Sequence, residues 1–407
     1  MPKKILLIHQ NFPGQFRVLA SNLAKDKAVE VRGIGRDTAP GLPHLPQFKL
    51  YRYKPHREVT GQTHAYVRGM ENAVLHGQAV LRLMMQLRAE KFTPDVILAH
   101  PGWGETLFAK EAFPKAKLIH FCEYYYHADG ADANFDPEFP LSIDERARIR
   151  ARNALHLLNL EHCDLGVTPT RWQHSLHPTA YQPKIRIAHE GIDIEGLGPD
   201  PNAVFALPNG AELRAGDAVL TYVARNLEPY RGFHSFMRTL PHILKQHPTV
   251  QIVLVGGDEV SYGASPKNAT NWREALLKEV NLPEQQLRRV HFLGRIPYDR
   301  YKKLLQVSTA HVYLTYPFVL SWSTLEAMAT GCLLIASRTK PVEEVIEDGA
   351  TGVLVDFFDH REIAAKAVEA LRHPEKYTSM RAAARDYARK HFNAADGLRV
   401  YRELLET

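Results

Sequence analysis

Ile5-Leu-Leu-Ile8 runs into His9-Gln-Asn-Phe-Pro-Gly14-Gln and then into Phe16-x-x-Leu19-Ala20-x-x-Leu23. Four successive apolar residues read as a strand covered on both faces, the Pro-Gly step as a turn, and the i, i+3, i+4, i+7 spacing as the apolar stripe of a helix. The same succession recurs along the chain, as expected of a parallel sheet wound by crossover helices. In the first half, strands are predicted at Ile5 to Ile8, Val96 to Ala99, Leu118 to Phe121, Leu165 to Val167 and Ile185 to Ile187. Ser142-x-x-Glu145 reads as a capping box opening a helix toward Leu160. From Gly191 to Asp217 the periodicity lapses into Gly-Leu-Gly-Pro-Asp-Pro-Asn and Leu-Pro-Asn-Gly, which reads as a linker. Strands resume at Val219 to Val223, Ile252 to Val255, Val290 to Leu293, Val312 to Leu314, Leu333 to Ala336 and Val353 to Val355. The expectation is an α/β chain of two doubly wound domains, residues 1–190 and 218–391, with a C-terminal helix near 392–407 crossing back onto the first. Two such sheets create a cleft at their carboxyl ends, where ligands bind in these folds.

The 407 residues bound the chain to two or three domains, and 45% hydrophobic with 24% charged residues excludes long disorder, collagen-like repeats and coiled coil. A net charge of +6 suits an anionic ligand, a nucleotide or a membrane surface without demanding any of them. The three scattered cysteines form neither a disulfide framework nor a zinc cage. The opening apolar run is too short for a signal peptide, and no run reaches the roughly 18 residues of a membrane span. A cytoplasmic protein is expected, able at most to lie peripherally on the inner face of a membrane. Arg146, Arg148, Arg150 and Arg152 alternate around a predicted helix, which suits a solvated helix better than a lipid-binding face.

The loops after strands carry the chemistry. The Gly14 turn offers backbone N–H groups at a helix start, either to a phosphate or merely to the chain. His100 stands where a strand opens into Pro-Gly-Trp-Gly-Glu105, placed to donate to a sugar hydroxyl, although most of the 21 histidines must be packing or surface residues. Glu123, Tyr124, Tyr126 and His127 open a long loop of aromatics and carboxylates, which reads equally as a carbohydrate platform or as an Ω-loop packed on its own tyrosines. A metal site from His127, Asp129 and Asp132 has no established spacing, and no metal is expected.

In the second half Arg225 ends a strand and Arg231 begins a helix, a pair suited to a diphosphate. Gly256 and Gly257 permit close backbone approach. Ser321, Trp322, Ser323 and Thr324 read as a helix start whose N–H groups can face phosphate. One turn in, Glu326 needs hydrogen-bond donors, either two ribose hydroxyls or groups of the protein itself.

With these residues in place the chain resembles retaining glycosyltransferases of the GT-B fold, family 4. The resemblance rests on the arginine pair, the Val-Gly-Gly turn, Phe292-Leu-Gly294-Arg-Ile, Leu325-Glu-Ala-Met-Ala-Thr-Gly331 and Pro341-Val-Glu-Glu344 through Gly352. The first half, with His-Gln-Asn-Phe-Pro-Gly-Gln-Phe, His-Pro-Gly-Trp-Gly-Glu and Phe-Asp-Pro-Glu-Phe-Pro, is similar to a subgroup associated with bacterial surface polysaccharide synthesis. The resemblance implies that Arg225 and Arg231 hold the donor diphosphate, the latter where the family usually has lysine. It implies that Glu326 binds the ribose, that amides around Ser321 to Thr324 meet the distal phosphate, and that the base rests near Arg295 and Ile296. It further implies that His100 contacts the transferred sugar beneath the Gly14 loop. Phe318 stands eight residues before Glu326, where the family carries a glutamate that approaches the sugar.

The function expected is metal-independent transfer, with retention, of a sugar from a nucleoside diphosphate to a saccharide or lipid-linked acceptor. The donor expected is a UDP-sugar, with a GDP-sugar next, and no cofactor. The rival readings are a nucleotide-sugar epimerase or hydrolase and a non-catalytic nucleotide-sugar binder. No basic-aromatic module for nucleic acid is present.

Overall fold

A computed structural model of the chain describes residues 2–406 and divides it into two compact units. The first runs to Gly191 and includes the segment from Ala394, and the second spans Ile192–Asn393. The first holds strands β1 (Lys3–Ile8), β2 (Val29–Arg36), β3 (Leu50–Tyr53), β4 (Val96–Ala99), β5 (Lys117–Phe121), β6 (Leu165–Thr168) and β7 (Ile185–Ile187). They form one parallel sheet in the order β3-β2-β1-β4-β5-β6-β7. Strand β1 shows why a continuous apolar run is needed. Ile5 and Leu7 enter one core layer with Leu19, Leu23, Tyr401 and Leu404, and Leu6 and Ile8 enter the opposite layer with Val80, Met84 and Phe113. The helix Ala394–Glu406 thus packs within the first unit, where Arg402 also bonds to Asn22 and Asp26.

The capping box at Ser142 is present, with Ser142 N donating to Glu145 Oε2 at 2.8 Å and Glu145 N to Ser142 Oγ at 3.3 Å. Strands β2 and β3 are absent from the expectations because their pattern is not apolar. Arg32 in β2 is buried between Glu30, at 2.9 Å, and Glu90, at 2.7 Å, with its guanidinium 4.3 Å from the Phe92 ring centroid. Gly33 and Gly35 interrupt the same strand because a Cβ at either would stand 2.8 Å from Phe48 or Phe12.

In the second unit, β8 (Val204–Ala206) and β9 (Glu212–Arg214) form an antiparallel hairpin. Residues 191–217 are therefore more than a linker. Phe205, Leu207 and Leu213 join Val219, Val253 and Leu304 in a core layer. The main sheet contains β10 (Val219–Asn226), β11 (Gln251–Gly257), β12 (Val290–Phe292), β13 (Ala310–Tyr313), β14 (Leu333–Ser337) and β15 (Val353–Val355), all parallel, in the order β12-β11-β10-β13-β14-β15. Strand order reverses between β1 and β4 in one sheet and between β10 and β13 in the other. The loops leaving these four strands border the crevices in which doubly wound folds bind ligands.

Burial keeps several imidazoles neutral: the pKa values of His9 and His120 fall to about 3 and those of His177 and His311 to about 4. Between these values and the ordinary 6.5, the unfolded chain binds protons that the folded chain refuses, so stability falls as pH drops below about 6.5. Urea unfolding at pH 5 is expected to have a lower midpoint than at pH 7.5, and equal midpoints would contradict this account.

Candidate functional site

In the first unit, four side chains from the β1, β4 and β5 exits form one hydrogen-bonded chain. The Asn11 N–H donates to His9 Nδ1 at 2.9 Å, which leaves Nε2 as the protonated nitrogen and directs it to Gln15 Oε1 at 2.7 Å. Gln15 Nε2 donates to Glu123 Oε1 at 3.0 Å. On the other side, Gly102 N–H donates to His100 Nδ1 at 3.2 Å, so His100 Nε2–H is directed to Glu123 Oε2, also at 3.2 Å. Burial opposes the charge on Glu123, but His100, His9 and Gln15 outweigh it and hold the carboxyl below its ordinary value. Gly14 has φ +50° and lies against His9, where a Cβ would stand 2.4 Å from Nε2. Glycine is thus required there by the chain's own packing.

The remaining aromatic-loop residues are engaged elsewhere. Tyr124 is buried and donates to Asp132 at 2.9 Å, and Tyr126 lies beneath Arg152. His127 Nε2 lies 2.8 Å from the Leu176 carbonyl, and Asp129 pairs with Arg146. His127, Asp129 and Asp132 therefore each serve a different partner.

In the second unit, a register shift between Val223 and Asn226 marks a bulge at the end of β10, and Arg225 is exposed on it. Arg231 is only 9% exposed. Its Nη1 donates to Thr315 Oγ1 at 2.8 Å and to the Val319 carbonyl at 2.9 Å, with Tyr313 Oη at 3.3 Å. Its backbone carbonyl accepts from the buried Tyr222 hydroxyl at 2.7 Å. Among the described residues no carboxylate forms an ion pair with Arg231. Glu228, three residues before it and fully buried, is directed away: its carboxylate accepts from the N–H groups of Ser261, Tyr262 and Gly263 at 3.0–3.1 Å. This loop brings Tyr262 to 5.5 Å from the Arg231 guanidinium, with Phe318 on the same guanidinium at 5.8 Å. Glu228→Gln removes the charge that holds three amides. We expect a loss of about 1–3 kcal/mol of stability, with faster hydrogen exchange at residues 261–263, and unchanged exchange there would refute the role.

The helix Trp322–Thr330 is capped by Ser321, whose Oγ accepts from Ser323 N at 3.3 Å and meets Ser323 Oγ at 2.9 Å. The Thr324 hydroxyl is buried and has no hydrogen-bond partner among the described residues. Glu326 receives the Tyr298 and Tyr301 hydroxyls, each at 2.9 Å, so groups of the protein supply its donors. Gly256 and Gly257 admit neighbours of the same chain: a Cβ at Gly257 would lie 2.5 Å from Asn226 Oδ1 and 2.9 Å from Arg295 Nε. Arg295 bonds to Asn226 at 2.9 Å and pairs with Glu259, and Ile296 packs against the core. Sequence reading missed His9, Gln15, Glu228, Tyr262, Tyr298 and Tyr301. His9 and Gln15 lay inside the quoted turn and had the signal of position alone.

Residues 28–197 match the family model described as glycosyl transferase family 4 group, and residues 207–387 match glycosyl transferases group 1. A D-inositol 3-phosphate glycosyltransferase of Acidothermus cellulolyticus is 26% identical over 54% of this chain and 51% of its own length. A GDP-mannose-dependent alpha-(1-6)-phosphatidylinositol monomannoside mannosyltransferase of Mycolicibacterium smegmatis is 24% identical over 58% of this chain and 60% of its own. The matched region thus spans about half the length of these curated relatives. Among solved structures, sucrose-phosphate synthase from Thermosynechococcus elongatus superposes with a TM-score of 0.71 at 19% identity, covering 99% of both chains. Anabaena HepE in complex with UDP-glucose does so with 0.68 at 16%, covering 99% of both.

Proposed function

We propose that this chain, a GT-B protein both of whose halves match glycosyltransferase family models, transfers a sugar from a nucleoside diphosphate to a saccharide or lipid-linked acceptor, with retention and without a metal. The observation that carries the reading is Arg231. A buried guanidinium without a carboxylate partner is costly unless an anion completes it, and the nearby Glu228 is held by other donors. Arg225 on its bulge adds a second cation, and the Thr324 hydroxyl at the capped helix start adds an unused donor. A diphosphate satisfies all three. Glu326, oriented by two tyrosines, receives the ribose hydroxyls, and the base rests near Arg295 and Ile296. In the first unit the Gly14 turn and the His100–Glu123 pair supply the saccharide side.

In the transfer, the bond from the sugar's anomeric carbon to the diphosphate oxygen breaks while the acceptor oxygen bonds to that carbon on the same face. The acceptor's proton passes to the departing phosphate oxygen, and no enzyme carboxylate becomes bonded to the sugar. Arg225 and Arg231 stabilise the charge that collects on the diphosphate, which is where preorganised electrostatics lowers the barrier most.

Two relatives named for inositol phosphate and phosphatidylinositol mannoside support a polyol or lipid-linked acceptor, and glycoconjugate or surface polysaccharide synthesis is the setting we propose for it. One relative is named for GDP-mannose and one solved neighbour holds UDP-glucose, so a UDP-sugar remains the first donor to test and a GDP-sugar the second. Among the described residues no helix is long and apolar enough to cross a membrane. A lipid-linked acceptor would bring the chain to the inner membrane face as a peripheral protein, which vesicle flotation at low and high salt tests.

Phe318, enclosed by Tyr230 and Tyr262 at 5.4 and 5.0 Å, favours one rival, a non-catalytic binder, because no carboxylate stands at that place. A panel of UDP-, GDP-, ADP- and dTDP-sugars, with and without EDTA, separates the two. Slow, EDTA-insensitive hydrolysis of one donor supports the transferase. Tight binding without turnover when acceptors are supplied supports the binder.

A further inference from the structure

We infer that the Glu123 carboxylate, and not the His100 imidazole, is the group of the first unit that receives a saccharide hydroxyl. The inference rests on the glycosyltransferase reading and assigns the contact within it. His100 is 4% exposed, and both its nitrogens are taken, Nδ1 by the Gly102 N–H and Nε2 by Glu123. Its ring is stacked on Trp103 at 4.6 Å and tilted against Phe121 at 5.7 Å, with His9 at 5.2 Å. No polar atom of this ring is left for a ligand.

His9 is equally committed, through Asn11 and Gln15, and passes its donor character on to the Gln15 amide. Two arms of the chain, His9–Gln15 and His100, therefore end on the same carboxylate, one on each oxygen. The Glu123 side chain is 33% exposed, and each oxygen retains acceptor capacity beyond the one bond it receives. Its backbone is also fixed, because the carbonyl accepts from Gln173 Nε2 at 2.6 Å.

An ionised carboxylate whose donors are already assigned accepts hydrogen bonds only, so its ligand must donate them. Sugar hydroxyls do so, whereas an acidic group at the same position is repelled. The half-buried Trp103 beside His100 supplies an apolar ring for the C–H face of such a ligand. His100 and Gln15 are then positioning residues, since they hold Glu123 and do not touch the sugar.

The test pairs Glu123→Gln with monodeoxy donors. UDP-glucose and GDP-mannose are assayed first on the wild-type protein. The accepted donor is then compared with its 2-, 3-, 4- and 6-deoxy analogues, in hydrolysis and in transfer to a panel of methyl glycosides, which are themselves also tested in monodeoxy form. Binding of UDP and GDP reports whether the variant is intact. The expected result is a loss of about 10- to 100-fold in kcat/KM for Glu123→Gln on the full sugars, with nucleotide affinity unchanged. This loss should shrink to about threefold or less for the one analogue that lacks the contacted hydroxyl. A vanishing loss on a deoxy donor in hydrolysis assigns the contact to the transferred sugar, and one on a deoxy glycoside assigns it to the acceptor. An equal loss with every analogue, or no loss at all, overturns the inference while leaving the transferase reading intact. Failure of the wild-type protein to turn over these two donors and every other sugar of the UDP-, GDP-, ADP- and dTDP-sugar panel overturns the transferase reading and this inference with it.

Discussion

Arg231→Ala lowers kcat/KM by about 100- to 1,000-fold, the range seen when a preorganised donor to developing negative charge is removed. The unliganded protein stays within about 1 kcal/mol of wild type, because two opposed effects accompany the change. The hydrogen bonds to Thr315 and the Val319 carbonyl, each from a charged donor and worth about 1.5–3 kcal/mol net, are lost. The cost of holding an unpaired charge in the interior disappears with them. A nucleotide at about 100 times its Kd raises wild-type stability by about 2.7 kcal/mol, and the variant gains far less. Arg231→Lys keeps the charge but lacks the Nη1 that reaches Thr315 and Val319, so its turnover falls between the two. Turnover by Arg231→Ala near the wild-type value would contradict the assignment, as would a collapse of unliganded stability by several kcal/mol.

Gly232→Ala, one residue on, acts through the fold. Gly232 has φ +69°, and a Cβ there would stand 2.2 Å from Leu314 Cβ and 3.1 Å from the Phe357 ring. The left-handed backbone costs a non-glycine residue about 1 kcal/mol, and forcing a methyl into this space costs about 1–3 kcal/mol more. Urea unfolding should show a loss of about 2–4 kcal/mol. Relief of the clash pushes the β13 exit away from Arg231, so nucleotide affinity falls as well. A loss below about 1 kcal/mol would mean that Leu314 yields freely and that the β10 and β13 exits are not rigidly apposed.

The parts of the fold legible in sequence are those whose strands are covered on both faces. Strands β1, β4 and β14 contain uninterrupted apolar runs, because a parallel sheet between two layers of helix leaves no polar face. Strand β10, as far as Ala224, and β13 depart from this only at Thr221 and His311, which hydrogen-bond to each other at 2.8 Å. Strand β2 did not, since Arg32 is neutralised by Glu90, 58 residues away, and its glycines are set by Phe12 and Phe48. Strands β8 and β9 are short and stand among the turn signals Asp200-Pro-Asn and Pro208-Asn-Gly, which mask them. The candidate site divides in the same way. Arg225, Arg231, His100 and the Ser321–Glu326 segment stand out because each lies at or after the end of a strand at the point where strand order reverses. Their partners do not: Gln15 meets Glu123 across 108 residues, and Tyr301 meets Glu326 across 25. Pairings of this kind follow from packing, so the sequence left ribose hydroxyls and groups of the protein as alternative candidates for the donors to Glu326, and only the folded chain names the two tyrosines. His100 was legible by position, but the use of both its nitrogens within the chain was not.

The central claim is that the buried charge of Arg231 is completed by a nucleoside diphosphate. Calorimetric titration of UDP and of GDP into wild-type protein and into Arg231→Ala, with EDTA present throughout, tests it most directly. The account predicts that at least one of the two nucleotides binds the wild-type protein and that Arg231→Ala weakens this binding about 100-fold or more. Equal affinity in the two proteins, or no binding of either nucleotide to the wild type, would contradict it.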